Sequence, residues 1–121
     1  MKKILIVDDE PNIVMTLEYT FKKKDFEVYI ARDGSEALAI INDVTPDVVL
    51  LDVMMPKVDG YQTLKSIKSN DELKNTKVVF LTAKNKASDI EKGLKLGADK
   101  YLTKPFSIKK IVSEINALLA S

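Results

Sequence analysis

The chain contains no cysteine and no histidine. Without Cys there are no disulfides, no thiolate metal sites and no cysteine nucleophile. Without His, imidazole serves neither as base nor as ligand, which removes zinc enzymes and Ser-His-Asp triads. Glycine is scarce, with four in 121 residues (Gly34, Gly60, Gly93 and Gly97). Long hydrophobic runs are missing too. The first, residues 4–7, is cut short by Asp8, Asp9 and Glu10. It falls below the roughly 7–15 apolar residues of a signal peptide and the ~20 of a membrane span. Neither sign of charge dominates: 19 basic and 18 acidic residues leave a net +1. That balance gives no general pull toward nucleic acid or an anionic membrane. What is present is 45% hydrophobic residues, enough for a real core in one domain spanning 1–121.

Short β-branched runs alternate with segments of helical period. Residues 4–7, 28–31, 48–51, 78–81 and 101–103 read as strands. Most are continuous apolar runs, which suits strands buried on both faces of a parallel sheet. Between them, Ile13, Leu17 and Phe21 mark a first helix, Leu38 and Ile41 a second, Leu64 and Ile67 a third, Ile90 and Leu94 a fourth. Ile108, Ile111, Val112, Ile115, Leu118 and Leu119 form one apolar stripe for a fifth. Asp33-x-x-Glu36 and Asp59-x-x-Gln62 have capping-box spacing. Gly97 suits a left-handed cap after helix four. Pro46 and Pro105 stand at breaks. Repeated βα units imply a parallel sheet with helices on both faces, an α/β doubly wound sandwich. Ligands of such sheets bind outside the carboxyl ends of the strands.

That rule directs attention to the residues at those ends. Strand one ends in Asp8-Asp9, strand three in Asp52, strand four in Thr82-Ala83, and strand five in Lys104-Pro105. Clustered carboxylates repel one another, and none is buried unpaired cheaply. Either one stays protonated or a cation sits among them. All-oxygen surroundings favour Mg²⁺ or Ca²⁺, and Mg²⁺ tolerates a partial site shared with phosphate. Lys104 adds an ammonium and Thr82 a hydroxyl. A metal, an ammonium and a hydroxyl together suit the equatorial negative charge of phosphoryl transfer, and a carboxylate is a competent nucleophile. Taken singly, each residue has a plainer role: an Asp pair caps a helix, Thr82 shapes a turn, and Lys104 is a solvated lysine. Their arrival at one edge favours the functional reading.

Five blocks carry a resemblance across the whole chain: Ile6-Val7-Asp8-Asp9-Glu10, Leu50-Leu51-Asp52, Val53-Met54-Met55-Pro56-Lys57-Val58-Asp59-Gly60, Leu81-Thr82-Ala83, and Gly97-Ala98-Asp99-Lys100-Tyr101-Leu102-Thr103-Lys104-Pro105-Phe106. In this order they resemble the signature of two-component response-regulator receiver domains, the CheY-like superfamily. The resemblance implies a flavodoxin-like fold with strand order 2-1-3-4-5. It implies Asp52 as phosphoacceptor, with Thr82 and Lys104 holding the phosphoryl oxygens. Mg²⁺, for which Mn²⁺ substitutes, would be ligated by Asp9, Asp52 and the Met54 backbone carbonyl, with Asp8 helping through water. The Lys104-Pro105 peptide is expected cis. Thr82 and Tyr101 are the expected switch pair, which alters the surface of helix four, strand five and helix five. The plainer reading of Tyr101 is an amphipathic residue on an edge strand. The implied donor is a phosphohistidine of a sensor histidine kinase or phosphotransfer protein, or a small acyl phosphate. The implied chemistry is limited to self-phosphorylation and self-dephosphorylation, and the implied location is cytoplasmic. The implied output is an attached domain or a downstream protein. A stand-alone receiver and the receiver of a longer regulator share every block quoted.

Some features are particular to this chain. Met54 and Lys84 occupy positions that vary across the family and tune phosphoryl lifetime. An apolar Met54 over the path of water suggests modestly slowed loss of phosphate. Receivers attached to winged-helix domains usually carry acids at positions 100 and 110 and a base at 114. Here Lys100, Lys110 and Glu114 reverse all three signs. A monomer is expected, with a phosphorylation-dependent homodimer conceivable if Lys100 met Glu114 across a two-fold axis. Three other classes fit less well. A flavin or nucleotide binder wants a glycine-rich loop after strand one, where this chain has Asp8, Asp9 and Glu10. An aspartyl phosphatase usually has a second Asp where Met54 stands. A receiver-like fold that is never phosphorylated would lack Asp9, Asp52 or Lys104.

Overall fold

Strand residues 4–7 and 48–51 are apolar at every position, so neither strand can lie on a half-solvated sheet. The structure, a computed structural model, describes residues 1–54 and 59–120. The Met55-Pro56-Lys57-Val58 part of the block after Asp52 lies outside the described residues. The order of elements is β1 (Lys3–Val7), α1 (Pro11–Lys23), β2 (Glu27–Ala31), α2 (Gly34–Val44), β3 (Val48–Leu51), α3 (Gly60–Lys68), a 3₁₀ turn (Asp71–Leu73), β4 (Lys77–Thr82), α4 (Ala87–Lys95), β5 (Lys100–Thr103) and α5 (Ile108–Ala120). The five strands form one parallel sheet in the order β2-β1-β3-β4-β5.

Successive side chains of a strand point to opposite faces, and the core divides accordingly. Leu5, Val7, Val49, Leu51, Val78 and Phe80 pack with residues of α2 and α3, among them Ala37, Ile41, Leu64 and Ile67. Ile4, Ile6, Val48, Leu50, Val79 and Leu81 pack with Leu17 and Phe21 of α1 and with Ile111, Val112 and Ile115 of α5. Each large side chain buried this way contributes about 1.5–3 kcal/mol before ordering entropy is charged. β1, β3 and β4 are therefore central and almost wholly buried, while β2 and β5 are edges. Among the described residues no helix is long and apolar enough to cross a membrane.

Local chemistry sets the boundaries. Asp59 and Gln62 form the complete reciprocal capping box at the start of α3. The Asp33 side chain accepts from Glu36 N at the start of α2. Gly97, at φ +110°, follows α4 in the left-handed region, where a Cβ is unfavourable. One expectation about faces fails. Leu94 of α4 is 47% exposed, and Gly93 is the buried residue of that helix. A Cβ on Gly93 would stand 2.8 Å from Cδ2 of the Tyr101 ring. Helix α4 thus lies over an aromatic ring of β5 rather than burying its own leucine.

Candidate functional site

The parallel register places the strand ends side by side. Val7 of β1 pairs with Leu51 of β3, and Thr82 of β4 with Thr103 of β5. Each ladder runs one residue further: Asp52 N donates to Val7 O at 3.0 Å and Lys104 N to Thr82 O at 2.8 Å. Asp8, Asp52, Thr82 and Lys104 therefore meet at the carboxyl edge. Asp8 and Asp52 flank the point where strand order reverses, with β2 on one side of β1 and β3 on the other.

Strands β1, β3 and β4 leave the sheet through the same small device. The side-chain oxygen of the first residue past the strand, or of the last within it, accepts from the backbone N–H two residues on. Asp8 Oδ1 accepts from Glu10 N at 2.9 Å, Asp52 Oδ1 from Met54 N at 3.1 Å, and Thr82 Oγ1 from Lys84 N at 3.3 Å. These are Asx and ST turns. They fix the rotamer of each functional side chain and turn the chain out of the sheet. Each Asp keeps its second oxygen free for the site. Gly60 completes the frame, since a Cβ there would lie 2.5 Å from the Asp52 carbonyl oxygen. Only glycine lets the start of α3 come that close to the end of β3.

Lys104 bridges the free oxygens. Its Nζ lies 3.1 Å from Asp8 Oδ2, 3.4 Å from Asp52 Oδ2 and 3.0 Å from Glu10 Oε1. Asp8 and Asp52 are 3% and 5% exposed, and the Lys104 side chain is 12% exposed. Burial drives Asp8 above the ordinary carboxylate range. The Asp52 charge adds to this, while the Glu10 N–H and Lys104 oppose it. For Lys104 burial pulls downward, but the hydrogen bonds to Glu10 and Asp8 and the charges of Asp52 and Asp8 outweigh it and hold it above the ordinary lysine range. One ammonium does not balance three carboxylates, so the corner carries excess negative charge.

A divalent cation would relieve that excess. Carboxylate oxygens of Asp8, Glu10 and Asp52 lie within 4.8 Å of one another, and an all-oxygen donor set suits a hard cation such as Mg²⁺. Asp9 does not join this group. Its exposed side chain borders an open cleft of about 450 Å³ on the α1 side, shared with Asp8, Met15, Ile30 and Arg32. Glu10 is the member that sequence reasoning did not assign. The signal was local: an Asx turn at Asp8 folds residue 10 back beside it, and Pro11 at the first turn of α1 makes Glu10 the last non-helical residue.

Thr82 is fully buried. Its neighbour Lys84 links it to Tyr101, for the Lys84 N–H donates to Thr82 and the Lys84 carbonyl accepts from the Tyr101 hydroxyl at 2.9 Å. The Tyr101 ring packs edge-on against Phe80, which packs edge-on against Tyr61. Burial pushes the Tyr101 and Tyr61 hydroxyls above the usual phenol range. Tyr101 is therefore an inward ring tied to Lys84, two residues past Thr82, not a loose edge-strand side chain. The Lys104-Pro105 peptide is cis.

A parallel sheet in this order, with an aspartate pocket bridged by a lysine from the last strand, defines a class. The sequence profile of the response regulator receiver domain matches residues 4–116, and the chain belongs to that family. It is 42% identical to protein PilG of Pseudomonas aeruginosa over 119 residues, 98% of this chain and 88% of that protein. Among solved structures it is similar to the receiver domain of Francisella response regulator 1452, with TM-score 0.91, 37% identity and coverage of 99% and 98% of the two chains. It is also similar to the chemotaxis response regulator CheY4 of Vibrio cholerae, with TM-score 0.91, 30% identity and coverage of 98% of each chain. The fold is accordingly flavodoxin-like, and the chain is a receiver of two-component signalling.

Proposed function

We propose that this receiver is a switch operated by phosphorylation of Asp52. The reading is carried by one observation: Lys104 Nζ draws Asp8 and Asp52, two nearly buried carboxylates, to one point at the sheet edge. Oxygen Oδ1 of Asp52 is held by Met54 N, so Oδ2 is the one presented for attack. In the transfer, Asp52 Oδ2 forms a bond to phosphorus while the bond from phosphorus to the donor breaks. The bonding pair leaves on the imidazole nitrogen of a phosphohistidine, or on the carboxylate of an acyl phosphate. The product is an aspartyl phosphate. Lys104 lies close enough to one carboxylate oxygen to hold an adjoining phosphoryl oxygen, and the Thr82 hydroxyl is at the same edge to donate to another.

Asp8, Asp52 and the Met54 backbone carbonyl are the groups we assign to hold Mg²⁺, with Mn²⁺ as a substitute, and Asp9, exposed beside them, would join only by turning its side chain in toward Asp8. When bound, the ion supplies charge neutralisation for the phosphoryl oxygens. Met54, whose side chain is 56% exposed, stands beside Asp52 as an apolar neighbour, in keeping with slowed loss of the phosphoryl group. The partners are a sensor histidine kinase or phosphotransfer protein upstream and an output domain or protein downstream. The downstream contact is the surface of α4, β5 and α5. The route to it runs from Thr82 through Lys84 to Tyr101, and phosphorylation biases it by offering the Thr82 hydroxyl a new acceptor.

Incubation with acetyl phosphate and Mg²⁺, followed by intact mass, tests the reading. One phosphate of added mass is expected on the wild type and none on Asp52→Asn. An unmodified wild type, or an Asp52→Asn chain that gains the same mass, overturns it.

A further inference from the structure

We propose that Glu10 is a positioning residue for phosphoryl transfer, holding the Lys104 ammonium while Asp52 is unmodified and yielding it when the phosphoryl group arrives. The inference rests on the assignment of Asp52 as phosphoacceptor and deepens it.

An ammonium has three N–H donors and no acceptor. In this structure three carboxylates face it: Glu10 at 3.0 Å, Asp8 at 3.1 Å and Asp52 at 3.4 Å. A phosphoryl oxygen that binds Lys104 must therefore displace one of them. Asp8 is 3% exposed and pinned through Oδ1 by the Glu10 N–H, so its release would strand a buried charge. Asp52 Oδ2 is the attacking atom and must stay in place while the phosphoryl group approaches; only after it bonds to phosphorus does it become a weaker acceptor and loosen its own contact with Lys104. Glu10 differs from both. Its side chain is 57% exposed, and water rehydrates its carboxylate once it lets go. It also makes the shortest of the three contacts while sitting at the solvent side of the site. An incoming phosphoryl anion meets its charge first, and like charges close together in a partly buried setting repel strongly. Glu10 thus has two effects of one sign: it occupies a donor the phosphoryl needs, and it repels the phosphoryl. It forms no covalent bond in the transfer.

Replacing Glu10 by Gln keeps the shape, removes the repulsion and weakens the hold on the donor, since a neutral amide oxygen accepts from Lys104 less strongly than a carboxylate. Two measurements at saturating Mg²⁺ read the consequence: the rate of phosphorylation by acetyl phosphate, and the affinity for fluoroberyllate. Both are expected to rise roughly three- to tenfold, the range for a partly exposed charge-assisted contact. Two controls separate this role from neighbouring ones. In a Lys104→Ala background the same Glu10→Gln change should raise fluoroberyllate affinity clearly less than in the wild type, because only the direct repulsion is left for it to remove. Calorimetric Mg²⁺ affinity without a phosphodonor should fall by only about twofold to fivefold, the screened effect of one exposed charge and far less than the loss of a ligand carboxylate. The inference is overturned if Glu10→Gln leaves both measurements unchanged or lowers them, if its effect is undiminished without Lys104, or if Mg²⁺ binding weakens markedly, which would make Glu10 a metal ligand. A wild type that accepts phosphate while Glu10→Gln behaves identically defeats this inference alone. A wild type that accepts none defeats the Asp52 assignment and this inference with it.

Discussion

Asp8 shows how a residue that serves a site weighs against the fold that holds it. Burial raises its carboxyl above the ordinary range, and the Asp52 charge adds to that. A carboxyl whose folded value is raised stabilises the fold below its unfolded value, and that contribution is lost as pH rises through the folded value. At neutral pH ionised Asp8 is therefore a net cost. Asp8→Asn removes the charge and keeps an acceptor for the Glu10 N–H, but it puts an amide NH2, a donor, where Asp8 Oδ2 accepts from Lys104, which leaves that ammonium to Asp52 and Glu10. Without divalent metal at pH 7, relief of the buried charge should outweigh the lost Lys104 contact and raise the Tm above that of the wild type. The gain should vanish as pH falls below about 4, where the wild-type carboxyl is protonated in both states. Thermal melts across pH with a chelator present would read this, and an Asp8→Asn variant less stable than wild type at pH 7 would refute it. The three carboxylates around Lys104 were legible as residues but not as a set. Asp8, Asp52 and Lys104 were found from strand ends. Glu10 was missed because only the turn at Asp8 brings it round, and Asp9 stands apart from the group as an exposed side chain.

Among elements, the approach of α3 to the end of β3 and of α4 to β5 depends on two glycines. A Cβ on Gly60 would meet backbone, the Asp52 carbonyl oxygen at 2.5 Å and Val53 Cα at 2.6 Å. Backbone moves reluctantly in a packed edge, so Gly60→Ala should cost about 1–3 kcal/mol. It should also slow Asp52 phosphorylation by displacing the turn that orients it, and urea melts with the acetyl phosphate assay would report both. Gly93 is a different case. Its Cβ would meet the Tyr101 ring at 2.8 and 2.9 Å, and a ring at the end of a side chain can rotate away. Gly93→Ala also gains about 0.8–1 kcal/mol of helix propensity, which offsets part of the clash. Stability should change by less than about 1 kcal/mol, while the Tyr101 hydroxyl should lose Lys84 O and the ring should lose Phe80. Tyr101–Phe80 cross-peaks by NMR would check this, and their persistence in Gly93→Ala would disprove it. The five helices and five strands were readable from apolar period and caps, with strand ends shifted by at most a residue. The face of α4 was not, since Ile90 and Leu94 mark a stripe that the Tyr101 ring pre-empts.

For the whole molecule, the open question is how copies of the chain recognise partners. Lys100 and Glu114 pair within one chain at 3.3 Å, so the expected complement across a two-fold axis is already satisfied internally. An exposed pair of this kind contributes about 0–1 kcal/mol. Glu114→Lys should therefore lower stability by less than about 1 kcal/mol and leave the unphosphorylated chain the same size by analytical ultracentrifugation. A dimer present in the wild type and lost in Glu114→Lys would show instead that the pair works between chains.

The sequence by itself determined the strands, the helices, their alternation and the residues that end each strand. Those follow from side-chain period and from caps, which are properties of neighbours along the chain. Only the tertiary structure decided which carboxylates share the Lys104 ammonium, that Tyr101 lies inward under Gly93, and that Lys100 answers Glu114 at home. These depend on distances between elements far apart in sequence. Such distances are set by parallel register and by the close approach that two glycines permit, and no local pattern encodes them.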